Sequence, residues 1–158
     1  MTELEKLINE TDDEALLMQV LEAINQNEDF DISDIPEAHR HVVAAVTAQA
    51  IIDNGGFRYF FSSHFKGRHD YQMIVEAYSQ IGAKESAEAI NQALNMFPNG
   101  EPPESLDERE KYLEEIFDKD SEHAKTLDEI ESKVFGKMEN YSLAANYVRE
   151  HADKFLVG

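Results

Sequence analysis

The side chains that could do chemistry in this 158-residue chain are its many carboxylates and its six histidines. His39 and His41 are two residues apart, so on a helix they point to opposite sides and cannot chelate one ion together. His64 and His69 flank a loop and could converge with Asp70, but no His-x-x-x-His pair of a helical zinc site is present. The histidines therefore predict no metal site.

An acidic run over residues 118–129 has part of the spacing of a calcium-binding loop. Asp118, Asp120 and Glu122 occupy ligand positions one, three and five, and Glu129 occupies position twelve. Position six, where the sharp turn requires glycine, is His123. We therefore expect a solvated helix end here and no bound calcium.

The chain lacks the common sequence patterns of catalytic nucleophiles and phosphate sites. It has no cysteine, no Gly-x-Ser-x-Gly elbow and no Gly-Lys-Ser/Thr ending of a phosphate-binding loop. The Asn54-Gly55-Gly56-Phe57 stretch follows a predicted helix, whereas a phosphate-binding loop follows a strand. The sequence thus predicts no enzymatic activity, no catalytic residue and no cofactor.

The charge of the chain is strongly negative and unevenly distributed. Thirty-three acidic and fourteen basic residues give a net charge of −19. Residues 1–37 carry −11, residues 38–100 are neutral, and residues 101–158 carry −8. Such a charge repels nucleic-acid phosphates and attracts cationic partners, so we expect no direct binding to DNA or RNA.

The hydropathy pattern favours a protein that is not in a membrane. No apolar run approaches the roughly 20 residues that a membrane helix needs. The first ten residues, MTELEKLINE, lack the basic and apolar regions of a signal peptide. We expect a cytoplasmic location and no membrane partner.

The elements that must position the acidic residues are helices, because apolar residues recur at helical spacing and no strand pattern is found. Helix starts are predicted where Ser, Thr or Asp precedes a Glu or an apolar run, at Thr2, Thr11, Asp34, Ser105 and Thr126. The predicted helices after residue 36 cover residues 37–53, 70–81, 84–97, 106–119, 127–136 and 141–156, and acidic helices precede them in residues 1–36. The prediction is an all-α fold with a single compact multi-helix domain over residues 1–158.

The Asn54-Gly55-Gly56 stretch is predicted to end the third helix at Asp53. Glycine adopts the left-handed conformation of a helix C-terminus without a Cβ clash. We therefore expect a positive φ at Gly55 or at Gly56.

Several segments resemble a known family, the acidic DNA-mimic proteins of bacteria, whose signature is an Asn-Gly-Gly-Phe turn followed by aromatic residues. Here the segment reads IIDNGGFRYFF, and further similar segments follow in order: AYSQIGAKESAEAINQAL, FPNGEPP and YVREHADKF. The resemblance extends over about residues 40–156. Tyr59 and Ser63 differ from the Gln and Asn that are frequent in the family. The resemblance implies an all-helical fold, a homodimer, no known enzymatic activity and the sequestration of a DNA-binding protein.

The first functional hypothesis is DNA mimicry by carboxylates on helices. Side chains at i and i+4 are about 6 Å apart on a helix, so adjacent acidic helices could approximate an array of phosphates. Glu108, Glu115, Asp118 and Glu122 are predicted to form one partner-binding stripe. Glu3, Glu10, Asp13 and Glu14 are predicted to form a second stripe. The expected partner is a basic DNA-binding protein, such as a helix-turn-helix regulator.

The alternative hypothesis is a generic protein-interaction module, such as an immunity or regulatory protein, in which the acidity is incidental. Its partner would then contact the neutral centre of the chain, over residues 57–69. Carboxylates gathered on one surface favour mimicry, whereas scattered carboxylates favour the alternative.

Overall fold

The computed structural model describes residues 3–9, 12–25, 31–63 and 70–156. They contain no strand and fold into helices joined by short turns, which confirms the predicted all-α class. Two short 3-10 helices cover Ile32–Asp34 and Pro98–Gly100. The α-helices are α1 (Glu3–Ile8), α2 (Asp13–Asn25), α3 (Glu37–Ser62), α4 (Tyr71–Gln80), α5 (Lys84–Leu94), α6 (Leu106–Ile116), α7 (Ala124–Glu131), α8 (Glu139–Glu150) and α9 (Ala152–Phe155).

Helix α3 is the central element of the bundle. It packs against α4, α6, α8 and α9, while α5 contacts α4 and α7, and α2 contacts α8. Its small residues Ala44, Ala45 and Ala48 are at most 2% exposed, so neighbouring helices can approach its backbone closely. Helix α3 is therefore well buried among its neighbours.

The predicted end of the third helix at Asp53 lies just before a break in the helical geometry, and what the sequence does not predict is that α3 bends and continues to Ser62. The bend is at Gly56, where φ is 72° and ψ is −167°, a combination that is essentially restricted to glycine. The positive φ expected at one of the two glycines is thus confirmed. The helix resumes because the Glu131 side chain accepts a hydrogen bond from the Phe57 N–H at 2.7 Å, which supplies the cap that a new helix start needs.

The predicted helix starts near residues 70 and 106 are confirmed, and both rest on local hydrogen bonds. The Ser105 hydroxyl accepts a bond from the Glu108 N–H at 3.4 Å. The Asp70 carboxylate accepts one from the Met73 N–H at 2.6 Å and caps α4. Thr2 and Thr11 lie outside the described residues, and Asp12 accepts a bond from the Ala15 N–H at the start of α2.

Other predicted boundaries are wrong. Asp34 ends a 3-10 helix, which the Asp31 side chain caps, and does not cap α3, although α3 begins at Glu37 as predicted. Helix α7 begins at Ala124, so Thr126 lies inside it. Three helices end earlier than predicted: α5 at Leu94, α6 at Ile116 and α7 at Glu131. The predicted C-terminal helix divides at His151 into α8 and α9.

None of the helices in the described residues combines the length and the hydrophobicity that a membrane span requires. This finding agrees with the absence of a long apolar run in the sequence.

Four tyrosines make the fold sensitive to alkaline pH. Burial raises the pKa of Tyr71, Tyr78, Tyr141 and Tyr147, and the Asp53 carboxylate adds to the rise at Tyr78 and Tyr141. The pKa of these hydroxyl groups is higher in the folded than in the unfolded protein. Their contribution to stability is therefore fully present below the unfolded pKa of about 10, and it is lost as the pH rises through the folded pKa. We expect the tyrosinate absorbance of these four residues to appear only together with loss of the helical circular dichroism signal. Ionisation of all the tyrosines near pH ~10 with unchanged helicity would contradict this.

Candidate protein-binding surface

Eleven of the 23 exposed acidic residues in the described part of the chain lie in one stretch of 31 residues, 101–131, which we name the acidic segment. It contains thirteen acidic and four basic residues, a net charge of −9. Eleven of the thirteen carboxylate side chains belong to exposed residues, and one of the four cations, Arg109, is only 5% exposed. The exposed residues of the segment therefore keep a net charge of −8, nearly the whole charge of its composition.

Arg109 fixes the position of α6 and of the loop before it. Its guanidinium donates hydrogen bonds to the carbonyl oxygens of Pro103 at 2.9 Å, Glu104 at 3.0 Å and Phe61 at 2.9 Å. A further bond to the Ser63 carbonyl is 3.4 Å long. Because these oxygens belong to the loop and to the end of α3, one buried side chain joins both to α6.

A second contact between α3 and α6 occupies one carboxylate of the acidic segment. Glu110 accepts hydrogen bonds from Arg58 at 2.8 Å and from the Ser62 hydroxyl at 2.9 Å. The two bonds hold the pKa of Glu110 below its ordinary value, and the bond from Arg58 has the larger effect. Glu110 therefore has a structural role, and the exposed carboxylates around it remain available.

The first predicted stripe is exposed but only half of it lies on one helix. Glu108 and Glu115 are exposed on α6, and seven residues separate them by about 10.5 Å along the helix axis. Asp118 and Glu122 are also exposed, but they follow the end of α6 at Ile116. Of the four predicted residues, only Glu108 and Glu115 therefore share a continuous helical face.

A groove at the end of α6 brings Glu115 and Glu122 together. Its volume is about 410 Å³, and Tyr112, Ile116 and Met96 contribute apolar surface to it. Tyr112 is 37% exposed. An apolar wall with carboxylates beside it suits an arginine or lysine side chain, whose aliphatic stem packs while its charge meets the acids.

The second predicted stripe is only partly within the described structure. Glu10 and the side chain of Glu3 lie outside it. Asp13 forms an ion pair with Arg149 of α8 at 2.7 Å, whereas Glu14 is exposed. Asp13 therefore holds α2 against α8, and its charge is compensated within the fold.

The Asn54-Gly55-Gly56-Phe57 motif has a structural role in the bend of α3. Asn54 and Gly55 are exposed, while Gly56 and Phe57 are buried. A Cβ atom at Gly56 would collide with the Glu131 carboxylate that caps the resumed helix. The motif thus allows α3 to bend where α7 ends against it.

A buried polar network next to this bend is not predicted by the sequence analysis. Gln49 is 1% exposed, and its amide nitrogen donates to Asp53 and to the Val134 carbonyl, both at 2.8 Å. Its amide oxygen accepts bonds from Tyr78 and Asn140, both at 2.9 Å. The sequence feature that could have indicated this network is Gln49, a glutamine within the apolar stretch of α3.

The structure also brings together a histidine and two carboxylates that the sequence analysis does not combine. Donor atoms of Glu37, His41 and Glu76 all lie within 4.8 Å of one another. The Glu-x-x-x-His spacing on α3 is the signal that could have indicated this cluster. His39 instead packs on Phe155 with ring centroids 4.3 Å apart, and His64 and His69 lie outside the described residues.

Comparison with known proteins gives one match. A family model described as DMP19-like protein matches residues 33–151. The matched region includes the bend of α3 and the whole acidic segment, and it leaves out α1 and α2. No curated protein and no solved structure matches the chain significantly.

Proposed function

The chain belongs to the DMP19-like protein family, and we propose that it is an acidic protein-binding protein that imitates DNA. Its partner would be a basic DNA-binding protein, which would use its DNA-contacting surface to bind the acidic segment. The observation that carries this proposal is the concentration of eleven exposed acidic residues in residues 101–131.

The spacing of carboxylates on α6 supports the proposal. Glu108 and Glu115 are separated by about 10.5 Å along the helix axis. Three steps along one strand of a DNA duplex span about 10.2 Å. A protein surface that contacts phosphates three steps apart could therefore contact both carboxylates.

The groove beside Glu115 and Glu122 suggests how the partner is held. Arginine and lysine are the residues with which DNA-binding proteins contact phosphates. Such a side chain would place its stem on Tyr112 and its charge between the two carboxylates. The groove thus adds apolar contact that a phosphate backbone does not offer.

The proposal also includes the absence of enzymatic activity, a cytoplasmic location and a homodimeric state. The homodimer rests on the family resemblance of the sequence. Light scattering of the purified protein at two concentrations measures its mass, and a monomer at both would exclude the dimer.

A generic interaction module is the second candidate, and exposed apolar residues outside the acidic segment favour it. Phe135 is 48% exposed and Met138 is 69% exposed. A partner bound there would not depend on the carboxylates of residues 101–131. Substitution of both residues by serine would weaken binding in this case and leave it unchanged in the case of mimicry.

We expect neutralisation of four exposed acids to slow partner binding. The variant is Glu108→Gln, Glu115→Gln, Asp118→Asn and Glu122→Gln, and the partner is first captured from host lysate at low salt and eluted by a salt step. Local charge steers association, so the association rate constant should fall by about tenfold or more while the helical content stays unchanged.

A matched control variant separates local charge from net charge. Glu85→Gln, Glu88→Gln, Glu139→Gln and Asp153→Asn remove four negative charges from exposed residues outside the acidic segment. This variant should bind the partner at nearly the wild-type rate. Equal slowing by both variants would show that only the total charge matters, which contradicts a specific acidic surface.

A further inference from the structure

Helices α3 and α4 together present three metal-binding side chains at one point of the surface. Glu37 and His41 are one turn apart on α3, and Glu76 is on α4, which packs against α3. The Glu37 Oε1 and His41 Nε2 atoms are 3.4 Å apart. In a tetrahedral site with metal–ligand distances of about 2.0–2.1 Å, two donor atoms are about 3.4 Å apart. The first two donors therefore already have the separation that a bound ion requires.

The imidazole of His41 has no hydrogen bond within the described residues, although the residue is only 5% exposed. Its Nδ1 atom is buried without a partner. Its Nε2 atom is 3.4 Å from Glu37 Oε1, which is longer than an ordinary N–H···O hydrogen bond. The lone pair of Nε2, which faces the Glu37 carboxylate, is therefore not taken up by a protein hydrogen bond and is open to an ion.

The surroundings of the three side chains suit a cation. They line a cavity of about 280 Å³ together with Arg40 and Asp70. The lining thus contains three carboxylates and one guanidinium, which leaves an excess of negative charge. Asp70 is engaged in capping α4, which leaves Glu37 and Glu76 free to act as ligands. The cavity also leaves space for a water molecule as a fourth ligand.

We propose that Glu37, His41 and Glu76 form a binding site for a divalent transition-metal ion, and that zinc fits the donor set best. One imidazole nitrogen and two carboxylate oxygens are a ligand combination found at zinc sites. Calcium takes six to eight oxygen ligands and magnesium prefers an octahedron of oxygens, so an imidazole-containing set of three disfavours both. The ion would join α3 to α4 at a point remote in sequence from the acidic segment, and the site does not depend on the proposed function.

Calorimetric titration of the metal-free, full-length protein with zinc chloride tests the proposal. Excess magnesium at physiological salt suppresses unspecific binding to the many carboxylates. We expect one zinc ion per chain in the tightest class of sites. Glu37→Gln and Glu76→Gln should each lower the zinc affinity by at least about tenfold, because each removes a direct ligand.

Glu88→Gln is the matched control, since it removes one exposed carboxylate on α5 outside the cluster. It should bind zinc as tightly as the wild type. A second readout is the visible spectrum of the cobalt-loaded protein, which should change in His41→Gln if circular dichroism shows that this variant is folded. If Glu37→Gln, Glu76→Gln and Glu88→Gln all bind zinc like the wild type, or if the wild type binds none, the proposed site is wrong.

Discussion

Gly56→Ala should lower the free energy of unfolding by about 3–5 kcal/mol, one of the two largest effects expected from single substitutions. A residue with a Cβ atom is strained at the φ of 72° and ψ of −167° observed there. The new methyl group would also displace the Glu131 carboxylate and remove its hydrogen bond to the Phe57 N–H. Denaturant unfolding of the wild type and the variant measures the difference.

Gly136→Ala is the control for a positive φ without a side-chain contact. Gly136 has nearly the same φ, 71°, but a Cβ atom there would have no heavy atom within 4 Å. Its substitution should lower the free energy of unfolding by only about 1–2 kcal/mol. Equal losses in the two variants would show that the contact with Glu131 does not stabilise the bend.

Gln49→Leu should destabilise the protein by about 3–5 kcal/mol. Leucine fills a similar volume but leaves the Val134 carbonyl, the Tyr78 hydroxyl and the Asn140 amide without their bonds to Gln49. Buried groups that lose a hydrogen-bond partner carry the full penalty of desolvation. Thermal and denaturant unfolding both measure this effect.

Gln92→Leu makes the same chemical change at an exposed position of α5. Its effect should stay within about 0.5 kcal/mol, as for most surface substitutions. A Gln49→Leu variant as stable as Gln92→Leu would mean that the network in the core contributes no net stability.

Local chemistry explains what the sequence analysis predicts correctly. The helical class follows from apolar spacing, and Ser105 and Asp70 cap helices through hydrogen bonds to residues three positions away. The positive φ of Gly56 follows from the glycine pair alone. Each of these features depends on neighbours within about one helical turn.

Contacts between residues distant in sequence explain the features that the sequence does not predict. Helix α3 continues past Gly56 because Glu131, 74 residues away, caps Phe57. Helix α7 begins before Thr126 and buries Leu127 and Ile130 against the core. Burial of an apolar face outweighs a capping preference of about 1 kcal/mol.

At the candidate surface too, local features are predictable from the sequence and contacts between distant residues are not. The exposure of Glu108 and Glu115 follows from the helical pattern of α6, whereas the pairing of Asp13 with Arg149 does not, since 136 positions separate these two residues. The groove that joins Glu115 to Glu122 depends on where α6 ends. No local pattern marks that end clearly.

The most direct test of DNA mimicry is an equilibrium binding assay with three components: the captured partner, a labelled duplex that carries its binding site, and this protein. We expect the protein to displace the duplex from the partner, and the displacement to weaken as salt increases, because exposed charges are screened over about 10 Å at 0.1 M. The Glu108, Glu115, Asp118 and Glu122 variant should displace the duplex less effectively than the control variant. A ternary complex in which the duplex and this protein bind the partner together, without weakening each other, would contradict the account.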